Sequence, residues 1–256
     1  MARFTPPAVL LITGASSGLG AALARRYARP GATLFLSGRH AGRLNEVAEA
    51  CRAAGAAVHE RAIDVTDRES MKNWVEEADG VRPLDLVIAN AGIAAGTGDH
   101  GETPEQTRAI FAVNVEGVIN TVLPALAGMR TRKRGHIAIM SSLAGFRGMP
   151  GAPAYCASKA AVRLWGEGLR GWLAEDGVRV SVICPGFVTT PMTDVNRFPM
   201  PFLMSAERAA AIIQAGLARD RGRIVFPRRL ALGVYLLTLM PDAWADRLTR
   251  GLPRKG

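Results

Sequence analysis

Cysteine and histidine are scarce in this sequence, with three of the former and four of the latter among 256 residues. Cys51, Cys156 and Cys184 are odd in number, widely spaced and never arranged as C-x-x-C. Neither a disulfide framework nor a metal site is therefore expected, and a reduced, cytoplasmic chain is. The opening Met1-Ala2-Arg3-Phe4-Thr5-Pro6-Pro7 lacks the apolar stretch of a secretory signal before proline intervenes, so export is not expected. The longest late apolar run, 230–240, falls well short of the ~18 residues that cross a bilayer. No Ser/Gly/Pro linker and no fixed-period repeat interrupt the chain, and one domain over 1–256 is the expectation.

Acidic residues are also in deficit, 22 against 32 lysines and arginines, for a net charge of +10. Such a balance raises the question of nucleic acid or an anionic membrane. The basic residues are mostly scattered, however, and no homeodomain, zinc-finger, RRM or KH pattern organises them, so no nucleic-acid partner is expected. Hydrophobic residues at 48% and charged residues at 21% suffice for a large packed core.

What the chain does have is alternation. Short apolar runs at 8–12, 33–36, 58–63, 84–89, 136–140, 178–183 and 223–226 are separated by stretches of helical length at 19–29, 44–54, 68–78, 104–129, 154–174 and 206–219. Strands interleaved with helices require crossover connections, which give an α/β fold: a doubly wound, seven-stranded parallel sheet with helices on both faces. Near-continuous apolar strands are the mark of a sheet buried on both sides. The stretch 185–204, with four prolines, is too long for an ordinary connection and reads as a binding lid over about 187–205.

The first strand runs into Thr13-Gly14-Ala15-Ser16-Ser17-Gly18-Leu19-Gly20 and then a helix. Glycines there let the backbone approach a pyrophosphate, whose charge suits the N–H groups and positive end of the helix. The spacing G-x-x-x-G-x-G, together with Asp64-Val65 closing the third strand and Asn90-Ala91-Gly92 closing the fourth, resembles the short-chain dehydrogenase/reductase family. That resemblance implies a Rossmann-type fold and a nicotinamide cofactor. It assigns Gly14, Ser16, Ser17, Gly18, Leu19 and Gly20 to the cofactor's phosphates, Asp64 with Val65 to the adenine, and Asn90, Ala91 and Gly92 to the cofactor wall. Cofactor choice is legible at Leu36-Ser37-Gly38-Arg39, where NAD-binding proteins place a carboxylate on the ribose. Gly38 fills that slot and Arg39 offers a forked phosphate partner, so NADP(H) is expected.

Tyr155 and Lys159 stand at i and i+4 on one predicted helix, about 5–6 Å apart at Cβ. A phenol titrates near 10 in water, and Lys159 is positioned to favour its phenolate. Ser142, at the end of the fifth strand, faces the same crevice as the glycine loop. Ser141 would point away from the crevice. In the family the resemblance names, a Ser-Tyr-Lys set is catalytic and an Asn holds a water to the Lys; Ser142, Tyr155, Lys159 and Asn114 match those positions. Likewise Pro185 and Gly186 match a turn that meets the nicotinamide, with Val188 (main chain) and Thr190 on its carboxamide, and Tyr155 and Lys159 also touch the cofactor ribose. The implied reaction exchanges a hydride between nicotinamide and a carbonyl or secondary alcohol, with Tyr155 moving the proton. A dinucleotide-binding regulator without turnover is the alternative, and such proteins usually lose the Tyr or the Lys.

Pro191, Met192, Phe198, Met200, Phe202, Leu203 and Met204 make the lid apolar, so a lipophilic substrate is expected. The resemblance implies a homodimer or homotetramer packed through the helices at 104–129 and 154–174, the latter carrying Val162, Trp165, Leu169 and Trp172. A helical extension is expected over about 228–250, an apolar run bracketed by Arg228, Arg229, Arg247, Arg250, Arg254 and Lys255. It caps the pocket, pairs with a sister subunit or lies peripherally on a membrane.

Overall fold

All seven apolar runs are strands in the computed structural model, which describes residues 7–95, 102–196 and 198–251. The opening residues 1–6 and the late basic pair Arg254 and Lys255 lie outside the described residues. In chain order the elements are β1 (Val9–Thr13), α1 (Gly18–Tyr27), β2 (Thr33–Gly38), α2 (Ala41–Ala53), β3 (Ala57–Ala62), α3 (Arg68–Val81) and β4 (Leu86–Ala89). There follow α4 (Pro104–Phe111), α5 (Gly117–Thr131), β5 (Gly135–Met140), α6 (Pro153–Trp172) and β6 (Val178–Pro185). The last are α7 (Pro191–Asp194), α8 (Ala206–Ala218), β7 (Arg223–Phe226), α9 (Arg228–Leu239) and α10 (Asp242–Arg250). A π-helical stretch, Ala112–Glu116, joins α4 to α5.

The strands form one sheet in the order β3-β2-β1-β4-β5-β6-β7, every neighbouring pair parallel. The chain winds outward from β1 to one edge, returns beside β1 as β4, and winds outward to the other. Where the direction reverses, between β1 and β4, the carboxyl ends of the strands open a crevice.

Side chains alternate across each strand, and here both faces are covered. Leu10 and Ile12 of β1 pack with Leu23 of α1 and Ile213 of α8 in one core cluster, whereas Val9 and Leu11 pack with Trp74 of α3 and Val122 of α5 in the other. The expected apolar character fails at β3, where His59, Glu60 and Arg61 face partly or fully outward. β3 is an edge strand and has a neighbour on one side only, so it needs no second buried face. The helical stretch 104–131 is apolar and long enough to cross a membrane by length and composition, but half of its most apolar part is buried inside the fold.

Candidate active site

At the crevice the glycine loop is held by what surrounds it. Gly14 has φ +65° and Gly18 φ +52°, both in the left-handed region. A Cβ on Gly14 would stand 2.8 Å from Ala91 Cα, and one on Gly20 would stand 2.2 Å from the Gly14 carbonyl oxygen. Backbone therefore meets backbone on both sides of the loop. Ser17 is the N-cap of α1, yet its hydroxyl makes no capping bond, whereas Asp67, Thr103 and Ser205 cap α3, α4 and α8 through their side chains. The helix end facing the cleft thus presents N–H groups without a side-chain cap.

The ends of β1 and β4 are tied together by polar groups. Thr13 Oγ1 accepts the N–H of Asn90 at 3.1 Å and of Ala91 at 3.2 Å, and Asn90 Nδ2 donates to the Thr13 carbonyl at 2.9 Å. Asn114, fully buried in the π-helical turn, receives the Ile93 N–H on Oδ1 at 2.8 Å. Its Nδ2 donates to Ile93 O at 2.9 Å and to Ser158 Oγ at 3.0 Å. Asn114 Oδ1 and Lys159 Nζ both lie 3.2 Å from where a Cβ on Gly92 would sit, so Gly92 leaves the passage between them clear. At the end of β3, Asp64 Oδ1 is held by Thr66 through its N–H at 3.0 Å and its hydroxyl at 2.8 Å, while the Val65 carbonyl accepts from Asn120.

Ser142, Tyr155 and Lys159 line the same cleft, a cavity of about 900 Å³ that reaches back to the glycine loop. Ser142 follows β5 and starts a short 3-10 turn; its hydroxyl accepts the Ala144 N–H at 3.1 Å and reaches the Pro185 carbonyl at 3.4 Å. Ser141 donates to the Lys159 carbonyl at 2.7 Å, which pins α6 to β5 and takes that hydroxyl out of the cleft. Lys159 Nζ is buried, donates to the Met140 carbonyl at 3.0 Å and lies 5.8 Å from the Tyr155 ring centroid. Burial pushes the Tyr155 phenol up to about 12, and a hydrogen bond with Ser142 pulls it back in part. Lys159 is not among the groups that lower it, and burial brings Lys159 itself down to about 8. The structure thus sets the phenol as a proton holder, where spacing alone suggests phenolate.

At the end of β2 a Cβ on Gly38 would stand 3.0 Å from Ser16 Oγ, so a side chain there would press on the glycine loop. Arg39 and Arg43 line the cleft there, both exposed and neither engaged in an ion pair or hydrogen bond with the described residues.

The lid is tied at its base by the bridge between Val188 and Met204, with Thr189 N–H donating to Met204 O at 2.9 Å and Met204 N–H to Phe187 O at 3.2 Å. The Val188 N–H itself finds no acceptor among the described residues. Thr190 begins α7 and presses on the glycine loop, its Cγ2 lying 2.9 Å from where a Cβ on Gly18 would sit. Of the apolar lid residues, Pro191, Met192, Phe198 and Phe202 line the cavity. Met200, Leu203 and Met204 do not: Met204 packs in the core, Leu203 is exposed and the Met200 sulfur receives Asn196 Nδ2. Pro185 and Gly186 complete the floor beneath α9, whose Leu230, Val234 and Leu237 close the far wall.

The sequence model of the family described as short chain dehydrogenase matches residues 8–199. The chain belongs to that family. An uncharacterized oxidoreductase of Myxococcus xanthus is 40% identical to this dehydrogenase over 243 residues, 94% of this chain and 96% of its own. Among solved structures, a short chain dehydrogenase/reductase from Burkholderia phymatum in complex with NAD superposes with a TM-score of 0.84 at 26% identity, over 100% of this chain and 99% of that one. One from Sphingobium yanoikuyae in complex with NADPH gives 0.81 at 26% identity over 98% of each. Like its relatives, this chain is an oxidoreductase of the short-chain dehydrogenase/reductase family.

Sequence reasoning missed several polar residues that brace the elements around the cleft from behind. Thr13 was hidden as the last residue of an apolar strand. Ser158, bonded to Asn114 and to the Tyr155 carbonyl at 2.8 Å, lies inside the Y-x-x-x-K spacing and passes for filler. Glu102 Oε2 accepts the Ala154 N–H at 2.8 Å and so caps α6, whose own N-cap Ala152 has no side chain able to do it. The signal for Glu102 lay in α6, a helix that opens on Ala152-Pro153 without a capping residue.

Proposed function

We propose that this short-chain dehydrogenase is an NADP(H)-dependent enzyme, a single domain over 1–256, that interconverts a lipophilic carbonyl compound and its secondary alcohol. The observation that carries the reading is one cleft with Ser142, Tyr155 and Lys159 on one wall and the glycine loop and Arg39 at its other end.

The residues fit a dinucleotide. The end of α1 without a side-chain cap and the glycines around Ser16, Ser17 and Leu19 would hold the pyrophosphate. Asp64 and Val65 would flank the adenine; Asn90, Ala91 and Gly92 would form the wall beside the ribose. Pro185, Gly186, Thr190 and the unpartnered Val188 N–H would meet the nicotinamide carboxamide. Arg39, joined by Arg43, would take the ribose 2′-phosphate, since Gly38 brings no repelling carboxylate. When bound, the cofactor supplies or accepts the hydride.

Tyr155 keeps its proton at neutral pH, which suits it to donate that proton to the oxygen of a carbonyl being reduced. Ser142 hydrogen-bonds the same oxygen. Lys159, charged below about 8, stabilises the phenolate left behind and reaches the ribose. Asn114 fixes the Ile93 backbone beside Lys159 and keeps an oxygen toward Gly92, where a relay water can stand. Oxidation of an alcohol runs the same transfers backward.

The substrate side is apolar, with the lid over about 187–205 and the extension over about 228–250 forming its walls. A cytoplasmic homodimer or homotetramer is proposed through α5 and α6, whose Leu123, Leu164 and Trp172 remain exposed. The C-terminal helices are left within reach of a membrane surface. The deciding measurement is oxidation of NADPH and NADH in the presence of a panel of ketones and aldehydes. Turnover by the unaltered protein and none by Tyr155→Phe is expected. Tight NADPH binding with no turnover of any member would favour a regulatory binder instead.

A further inference from the structure

Helix α9 is apolar on two opposite sides. Its inner side gives Leu230, Val234 and Leu237 to the cleft, while its outer side exposes Leu232, Leu236 and Leu239 by 61%, 52% and 80%. Beyond it α10 buries only Ala245 and Thr249. Asp242 and Asp246, both exposed, reach Arg147 at 3.1 and 3.4 Å, and Trp244 and Leu248 stand outward, 70% and 56% exposed. A helix that rests on the body through Ala245 and Thr249 and offers Trp244 and Leu248 outward leaves its largest apolar side chains for a partner elsewhere.

Charge decides which partner. Arg228, Arg247 and Arg250 are exposed around this face, and none makes an ion pair or hydrogen bond with the described residues. The aspartates of α10 are already engaged by Arg147. A second copy placed here about a two-fold axis would bring both sets of arginines together, with only Asp242 and Asp246, each already bonded to Arg147, to answer them. An anionic lipid surface answers both features, taking the apolar side chains below its headgroups and the guanidinium groups at them.

We propose that the outer face of α9 and α10 docks this protein on an anionic lipid surface, so that the cleft behind α9 draws an apolar carbonyl or alcohol substrate from that surface. The second half of the proposal rests on reading the cleft as the substrate site.

The test uses the full chain with vesicles of phosphatidylcholine containing phosphatidylglycerol. At low salt the protein is expected to co-sediment, with affinity falling about tenfold or more when phosphatidylglycerol is left out or salt is raised. The double variant Leu236→Asp/Leu239→Asp is expected to stay in the supernatant while reducing a water-soluble ketone with NADPH at the unaltered rate. Vesicles carrying a long-chain ketone should stimulate the unaltered protein and not this variant. Unaltered protein that remains in the supernatant at low salt overturns the docking. So does a variant that still binds vesicles while its light-scattering mass drops from dimer to monomer. Vesicle binding without turnover of any ketone, soluble or lipid-borne, supports the docking and overturns the substrate half.

Discussion

At the glycine loop the cleft wall is backbone set against backbone, with 2.2 to 2.8 Å left for a Cβ at Gly20 and Gly14. From Phe187 to Leu237 the wall is side chains, among them Met192, Phe198, Phe202 and Val234, whose bulk can change without moving the main chain. The first region admits almost no substitution because what it must fit is fixed by contact distances. The second is apolar surface that any residue of similar size can supply. The family match, which ends at residue 199, covers the whole of the first region and only the start of the second. If the proposed function holds, cofactor binding and substrate choice are separated along the chain, and substitutions in the two regions should differ in kind as well as in size.

The largest effect is expected at the wall that carries Ser142, Tyr155 and Lys159. Tyr155→Phe should lower kcat for carbonyl reduction by about a thousandfold or more while NADPH affinity, followed by fluorescence titration, changes only slightly. Next comes Gly20→Ala, whose new methyl meets the Gly14 oxygen; NADPH affinity should fall by about a hundredfold, with a lower Tm by calorimetry. Arg39→Asp should invert the cofactor preference, weakening NADPH by about tenfold to a hundredfold while NADH holds or improves. Equal affinities in the unaltered protein would remove the basis for that expectation.

The fourth expectation concerns pH. Lys159 loses its charge above about 8, so the rate of reduction should decline as pH rises through that value. Stability should move the other way. Between about 8 and 10.5 the unfolded chain keeps the Lys159 proton that the folded chain has released, so folding is favoured as pH increases across that interval. Lys159→Met should flatten the rise in a series of denaturant titrations. The smallest effect belongs to the variable wall: Phe202→Ala should shift KM for bulky ketones by about threefold to tenfold and leave NADPH affinity alone. A Phe202→Ala enzyme with a collapsed kcat would erase the contrast between the two regions.

Much of this was legible in the order of residues. Short, mostly apolar runs announced the seven strands, and the glycine spacing with Tyr155 and Lys159 announced the cleft. His59-Glu60-Arg61 signal the exposure of β3, but its place at the sheet edge was not legible, because a local run does not say which strand will lack a neighbour. Nor was the upward shift of Tyr155, since spacing reveals a cation four residues away but not the burial that raises the phenol. Glu102 escaped because its partner Ala154 is 52 residues distant and is a backbone N–H, which leaves no trace in a side-chain pattern. In the lid, composition identified an apolar segment but could not sort Phe202, on the cavity, from Met204, in the core. That sorting depends on the bridge at Val188, which no local signal encodes.

The strand order has a consequence for synthesis. β1 leaves the ribosome before the other strands of its sheet and ends in the middle of that sheet, but its second neighbour is β4, not β3. While residues 39 to 85 are being added, one edge of the most apolar strand in the nascent chain stays unpaired, for on the order of several seconds at ~5–20 residues per second. During that time the growing polypeptide carries an adhesive edge that its own later sequence will cover, and this is the interval in which a holding chaperone would have most to protect.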